Sequence, residues 1–186
     1  MSTRESIILL AEKLVKEKGF NAFSFHDIAA TIGIKTASIH YHFPTKADLG
    51  VAVLEQQKTR LYQMQESVQD KGVLAKLEAF FSIYNNLPRE NMVCMVGSLA
   101  TDFNAIDPKV QENLSEFADL VLQWLTDILQ EGKRENIFHF TTPTKVKAVQ
   151  IASSMVGVVQ LQRLVNEDDN FFKKVKDNII KELKAK

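Results

Sequence analysis

Apolar residues recur at helical spacing along most of the chain, and turn signals divide them into successive helices. The first stripe repeats at intervals of three and four residues and consists of Ile7, Ile8, Ala11, Leu14 and Val15. That spacing puts the apolar side chains on one face of a helix. Ser2 or Thr3 can cap its start, and Gly19 is a typical helix stop, so we predict a first helix that ends near Lys18.

The segment from Ser24 to Leu49 carries the signals of two short helices joined by a tight turn. Ser24 is a good N-cap, and the side chain of Asp27 can bond back to its backbone N–H to form a capping box. Gly33 supplies the permissive backbone that a tight turn between helices needs. Pro44 ends the second short helix, because it lacks an N–H donor and disfavours helix at the preceding residue. This pattern is a helix-turn-helix, and it predicts binding to DNA.

A long third helix follows this segment and is expected to run over residues 46–69. Thr45 and Asp48 repeat the capping-box pattern at its start. Lys46 lies in the first turn, where a cation opposes the helix dipole. The position makes sense if a phosphate group lies in front of this helix end, and a solvated surface lysine is the alternative.

Residues 4 to 58 resemble the DNA-binding domain of the tetracycline-repressor (TetR) family of bacterial regulators. The residues that carry the resemblance are Ile8, Ala11, Leu14, Gly19, Phe20, Asp27, Ile28, Ala29, Gly33, Tyr41, His42, Phe43, Lys46 and Leu49. The resemblance implies that DNA is contacted by Lys35, Thr36, Ala37, Ser38, His40, Tyr41, His42, Thr45 and Lys46. Family members often carry Ser-Lys-Gly at residues 35–37 and Tyr at position 40, where this chain differs. The operator sequence therefore cannot be carried over from the family.

Three aromatic side chains of the second short helix have alternative roles. His40 and His42 are two residues apart and point about 200° away from each other around a helix, so they cannot share a metal ion, and we predict no metal site. Contact with DNA and capping of the short helix are both open for the two histidines. Tyr41 can offer its hydroxyl to a phosphate, which the resemblance favours, or it can pack beneath the turn.

From Gly72 onward the pattern predicts a second, all-helical domain. Its expected helices cover residues 73–87, 92–103, 107–130, 143–165 and 171–183, with Gly132 closing the third and a turn at Asn166 to Asp169 before the last. We therefore expect an all-α fold of about nine helices. Residues 1–50 would form the DNA-binding domain, and residues 51–186 a domain for ligand binding and dimerisation.

The helix predicted over residues 143–165 is apolar around nearly its whole circumference, which indicates burial on several sides. Ser153 and Gly157, four residues apart, would allow another helix to approach closely. A homodimer joined through residues 143–184 is the expected arrangement, and packing within one subunit is the alternative. The resemblance implies the same dimer, with the last two helices of each subunit forming a four-helix bundle.

Aromatic and methionine side chains are abundant in the second domain. In the resembled fold, four helices surround one cavity, and here those helices carry Phe80, Phe81, Tyr84, Met95, Phe103, Phe117, Trp124 and Met155. Pockets for small molecules are mostly apolar, so a small, mostly apolar effector is expected there, although each of these residues could instead be ordinary core. Cys94 lies among apolar neighbours and is expected to be an inert buried thiol, with redox sensing as the alternative.

Composition changes this picture little. The net charge is zero, but residues 1–60 carry eight Lys or Arg and six Asp or Glu, together with three of the four histidines. The chain has no apolar run long enough to span a membrane, its first residues do not read as a signal peptide, and a single cysteine suits a reducing cytoplasm. No catalytic set, phosphate-binding glycine loop or cofactor motif is present. We therefore expect a cytoplasmic repressor released from a palindromic operator by a small ligand. A DNA-binding protein of the same fold that acts without an effector is the alternative.

Overall fold

The computed structural model describes residues 1–165 and 170–185, and the predicted turn at Asn166 to Asp169 lies outside them. Within these ranges the chain forms nine α-helices and no strand, which confirms the all-α prediction. The helices are α1 (Thr3–Lys18), α2 (Phe25–Ile32), α3 (Thr36–His42), α4 (Lys46–Val68), α5 (Val73–Ser82), α6 (Met95–Ala100), α7 (Pro108–Arg134), α8 (Thr144–Gln162) and α9 (Phe171–Lys184). Two short 3-10 helices cover Phe20–Ala22 and Phe103–Ala105.

The chain divides into two compact units, and the division falls inside α4 and α7. Unit one contains Met1–Arg60 and Met95–Ala118, and unit two contains Leu61–Cys94 and Asp119–Lys186. None of the described helices combines the length and the apolarity that crossing a membrane requires.

Unit one is built on α1, α2 and α3, which pack around fully buried isoleucines. Ile7 of α1, Ile28 of α2 and Ile39 of α3 have no solvent exposure. α6 joins this unit through α1, because the Ser98 hydroxyl donates a hydrogen bond of 2.6 Å to the carbonyl oxygen of Val15. The buried stripes on the short helices hold them in place, since such short helices have little stability of their own.

Unit two has an aromatic centre. Phe80 of α5 is fully buried, and its ring centroid lies 5.7 Å from that of Phe81, 5.9 Å from that of Tyr84 and 6.1 Å from that of Trp124. Such tilted and edge-to-face arrangements are the favoured contacts of aromatic rings. α8 and α9 pack against each other in the same unit.

Several helix ends in the second half differ from the sequence prediction. α5 ends at Ser82 instead of continuing to residue 87, because residues 83–91 fold as turns. Asn85 and Asn86 lie in these turns, and asparagine favours turns over helix interiors. α6 is likewise shorter than predicted, at six residues.

The prediction that Gly132 ends α7 is wrong. The helix continues to Arg134. A Cβ atom at Gly132 would lie 2.0 Å from Cδ2 of Phe138, so the glycine instead gives that ring room to pack on the helix. The chain turns at Asn136, whose φ of 56° is left-handed. The stop signal was therefore the asparagine, a residue that tolerates this conformation.

Candidate nucleic-acid interface

The turn between α2 and α3 has the geometry that the sequence predicts. The Ser24 backbone N–H donates to Oδ2 of Asp27 at 2.7 Å, and the Asp27 N–H donates back to Oγ of Ser24 at 3.4 Å. Gly33 adopts a left-handed φ of 73°, and its N–H closes the helix on the Ala29 carbonyl oxygen at 3.0 Å. The capping box and the glycine turn are both confirmed, and they set the direction in which α3 leaves α2.

One face of α3 is buried against unit one, and the opposite face is exposed to solvent. Ile39 is fully buried and Phe43 is 2% exposed, whereas Tyr41 is 84% exposed. Tyr41 therefore does not pack beneath the turn, and its hydroxyl is free to reach a partner in solution. A short helix that is fixed by its buried residues and exposes polar ones can enter the major groove of DNA.

His40 is oriented by two contacts at the end of α3. Its Nδ1–H donates to the carbonyl oxygen of Pro44 at 3.3 Å, because a carbonyl oxygen can only accept. Its ring also lies edge-on to Phe25, with 4.9 Å between centroids. Because Pro44 lies beyond the C-cap residue Phe43, this hydrogen bond orients the ring without capping the carbonyl groups of α3, and a contact of His40 with DNA stays a prediction.

The other α3 candidates spread over the same exposed helix. Lys35 and Ala37 are exposed, and Thr36, Ser38 and His42 are partly exposed. Lys35 is the N-cap residue of α3, and its side chain makes no capping bond. Their contacts with DNA stay a prediction.

Lys46 is partly buried, so it is not the solvated surface lysine of the alternative interpretation. Its Nζ lies 4.9 Å from the ring centroid of Phe20 and 4.3 Å from that of Phe23, and it donates to the carbonyl oxygen of Phe23. Burial lowers the pKa of Lys46, and the nearby Asp27 opposes this shift. The contacts hold the ammonium group at the first turn of α4, and a phosphate contact there stays a prediction.

The cap of α4 contains a cation that the sequence prediction did not include. Thr45 N–H donates to Oδ2 of Asp48 at 2.8 Å, as the capping box predicts, and Nζ of Lys109 lies 2.5 Å from the other oxygen, Oδ1. The hydrogen bonds from Lys109 and from Thr45 lower the pKa of Asp48 to about 2. Lys109 was missed because it lies 61 residues from Asp48 in the chain, and no local pattern relates the two.

Arg4 is a second cation missed by the sequence prediction. Its guanidinium group lies 5.2 Å from the centroid of the Phe43 ring, and Arg4 and His42 line the same cleft of unit one. A cation in the first turn of α1 opposes the helix dipole as Lys46 does in α4, and that shared feature could have identified it.

The residues predicted for a ligand pocket divide between the two units. Phe80, Phe81, Tyr84 and Trp124 form the aromatic centre of unit two, and Met155 is fully buried in the same unit. Met95, Phe103 and Phe117 belong to unit one, where Phe103 is 37% exposed. Cys94 is buried, as expected.

Comparison with known proteins gives a consistent result. The family model described as "Bacterial regulatory proteins, tetR family" matches residues 7–53. The chain is 25% identical over 166 residues to the HTH-type transcriptional repressor BepR of Brucella suis biovar 1 (strain 1330), covering 83% of this chain and 77% of BepR.

Solved structures extend the likeness over the full length. A TetR transcriptional regulator from Legionella pneumophila is 33% identical and superposes with a TM-score of 0.85, covering 99% of this chain and 98% of the other. A TetR-family regulator from Agrobacterium tumefaciens superposes with a TM-score of 0.86 at 22% identity, covering 98% and 97% of the two chains. With one third of the residues shared over almost the whole chain, and with the helix-turn-helix in place, the protein belongs to the tetR family of bacterial regulatory proteins.

Proposed function

We propose that this protein is a cytoplasmic transcriptional repressor that binds a pseudo-palindromic operator as a homodimer and is released by a small, mostly apolar molecule. The proposal rests on the exposure of α3: the fully buried Ile39 fixes this helix in place, and Tyr41 on its outer side is 84% exposed. The ring and the hydroxyl of Tyr41 are therefore accessible to a partner on the outer side of α3. BepR, a relative of this chain, is named as a transcriptional repressor.

A row of exposed apolar side chains supports the dimer. α8 and the residues just after it carry Val146, Val149, Leu161, Leu164 and Val165, each at least 43% exposed. A Cβ atom at Gly157 would have no atom within 4 Å, so the predicted notch is open in the single subunit. Exposed apolar side chains on either side of an open notch suit a helix from a second copy. A two-fold dimer presents two α3 helices, so its operator should contain two half-sites related by symmetry.

DNA selected from a random pool by the purified protein tests the DNA-binding role. We expect the selected sequences to share an inverted repeat with half-site centres about 34 Å apart or more. Lys46→Ala should weaken binding to all sequences alike and reduce the slope of log affinity against log salt by about one, because it removes a phosphate contact. Thr36→Ala and His40→Ala should instead change which bases are preferred.

Equilibrium binding at several salt concentrations, on the selected site and on variants of it, separates these roles. If Lys46→Ala changed base preference and left the salt slope intact, the assigned roles would be reversed. Failure to enrich any sequence would contradict the proposed function.

The effector is proposed for the aromatic centre of unit two, together with Met155 of the same unit. Met95, Phe103 and Phe117 lie in unit one and are not part of this proposed site. Phe and Met side chains supply the apolar lining that ligand pockets use. Native mass spectrometry of the purified protein should reveal a bound small molecule, and that molecule should weaken operator binding. By thermodynamic reciprocity, operator DNA must weaken binding of the molecule by the same factor. If no molecule from a broad apolar library changes operator affinity, the second candidate function holds, a DNA-binding regulator that acts without an effector.

A further inference from the structure

The N-terminal end of α4 contains a negative charge beside the residues proposed to contact DNA. Asp48 accepts hydrogen bonds from the backbone N–H of Thr45 and from its hydroxyl, at 2.8 Å and 2.7 Å. Thr45 and Lys46 are both candidates for contacts with the phosphate backbone. A carboxylate one turn away repels the same phosphates, so this end of the helix needs a compensating cation.

That cation comes from α7. Nζ of Lys109 lies 2.5 Å from Oδ1 of Asp48 and 3.4 Å from Oγ1 of Thr45. Lys109 is therefore bound to both members of the cap, and its side chain stays 41% exposed on that surface. Among the described residues, Asp48 has no other ion-pair partner within 4.0 Å.

Close packing fixes the first turn of α7 in this position. Val110, next to Lys109, is fully buried. A Cβ atom at Gly50 would lie 3.2 Å from Cγ2 of Val110 and 3.0 Å from the Phe20 ring, so the glycine lets α7 and α4 approach. Farther along the two helices, Nζ of Lys58 lies 2.5 Å from Oε2 of Glu116. The packing of α7 against α4 therefore fixes the backbone of Lys109 next to the Thr45–Asp48 cap.

We infer that Lys109 is a positioning residue for DNA binding: its ammonium group neutralises Asp48 and holds the Thr45–Asp48 cap so that the DNA backbone can approach α4. This inference rests on the proposed function. It places a determinant of DNA affinity in α7, far outside the helix-turn-helix in sequence. Lys109 acts through Asp48 and Thr45, and it need not touch the DNA itself.

Charge rescue at the operator tests this role. Lys109→Gln should weaken operator binding about tenfold, since it leaves Asp48 facing the phosphates. Adding Asp48→Asn to the Lys109→Gln protein should restore affinity to within about threefold of wild type. The side-chain amide oxygen of asparagine at this third helical position can still accept the hydrogen bond from the Thr45 backbone N–H, and asparagine carries no charge. Lys109→Arg should bind like wild type, and Lys71→Gln, which removes an exposed lysine from the turn after α4, is the matched control.

The outcomes are distinguishable because the wild-type protein is measured first on the same operator. If wild type binds and Lys109→Gln binds equally well, this inference fails and the proposed function stands. If the Lys109→Gln loss persists in the double variant and the salt slope falls by about one, Lys109 contacts a phosphate directly and the neutralising role is overturned. A wild-type protein that binds no DNA overturns the proposed function and this inference together. Rescue by Asp48→Asn, with circular dichroism showing that every variant is folded at the temperature of the binding assay, supports the inference.

Discussion

Several charged residues of unit one are buried or form ion pairs, although the sequence pattern would place them on exposed helix surfaces. Glu12 is only 7% exposed, and its carboxylate lies 2.6 Å from Nζ of Lys16 and 2.7 Å from a guanidinium nitrogen of Arg60. Burial alone would raise the pKa of Glu12, but the two cations outweigh burial and lower it. Lys58 is also buried, and Lys46 is partly buried. The ion pair of Arg60 with Glu12 connects α4 to α1, and the ion pair of Lys58 with Glu116 connects α4 to α7.

Asp48 provides a prediction about pH. Because its pKa falls from 3.8 to about 2 on folding, the paired carboxylate stabilises the folded state at higher pH. This contribution is complete above about pH 5 and is lost as the pH falls through the folded pKa. The difference in free energy of unfolding between wild type and Asp48→Asn should therefore shrink steadily below about pH 5. Urea unfolding at a series of pH values measures it.

Lys109→Gln is the control for this pH effect, since Lys109 is the main cause of the low pKa. In that background the difference between Asp and Asn at position 48 should depend much less on pH. A wild-type difference that stays constant from pH 5 to pH 3 would show that the ion pair does not form in solution.

Whole elements are set mainly by local signals at their ends. The capping boxes at Ser24 and Thr45 form as predicted, and Gly33 closes α2 in the left-handed conformation. The predicted helix end at Gly132 was wrong, because this glycine makes room for a side chain that follows α7 in the chain. The ring of Phe138 occupies the place where a side chain at Gly132 would stand.

Gly132→Ala tests this explanation. The new Cβ would lie 2.0 Å from the Phe138 ring, so the ring must move. We expect the free energy of unfolding to fall by about 1–3 kcal/mol, as in other overpacked cores. An alanine in an open helix position would instead stabilise by about 0.5–1 kcal/mol, so the sign of the change decides between contact and helix propensity.

A double variant supplies the control. Phe138→Leu removes the ring that clashes, so Gly132→Ala should cost much less in the Phe138→Leu protein than in wild type. Equal costs in the two backgrounds, measured by chemical denaturation, would mean that Phe138 is not the reason for the glycine.

At the scale of the whole molecule, the exposed apolar face of α8 points to a homodimer. Leu161→Glu and Gly157→Glu each place a charge on this face, where burial without a partner is costly. Both variants should be monomers at micromolar concentration, where wild type should be a dimer. Sedimentation equilibrium measures the mass directly.

Leu74→Glu is the matched control, because Leu74 is an exposed leucine on α5. It should leave the dimer intact. Met155, although on α8, is fully buried inside the subunit and would report on core stability instead of assembly. Wild-type protein that sediments as a monomer would contradict the proposed dimer.

The sequence by itself determined the features that depend on neighbours in the chain. Helical periodicity, capping residues and the glycine turn act within a few residues, which is why the bounds of α1, α3 and α4 agree with prediction to within a residue or two. The same local pattern identified the helix-turn-helix and, by resemblance, the family. The buried face of α3 also follows from it, because Ile39 is the apolar residue in the middle of a polar helix.

Only the tertiary structure decided which distant residues meet. Lys109 reaches Asp48 and Arg60 reaches Glu12, and no spacing in the sequence relates the members of these pairs. The physical reason is that burial and ion pairing depend on distance in space, whereas periodicity and capping depend on separation along the chain. The environments of Lys46 and Asp48 could therefore be known only once α4 was seen packed against its neighbours.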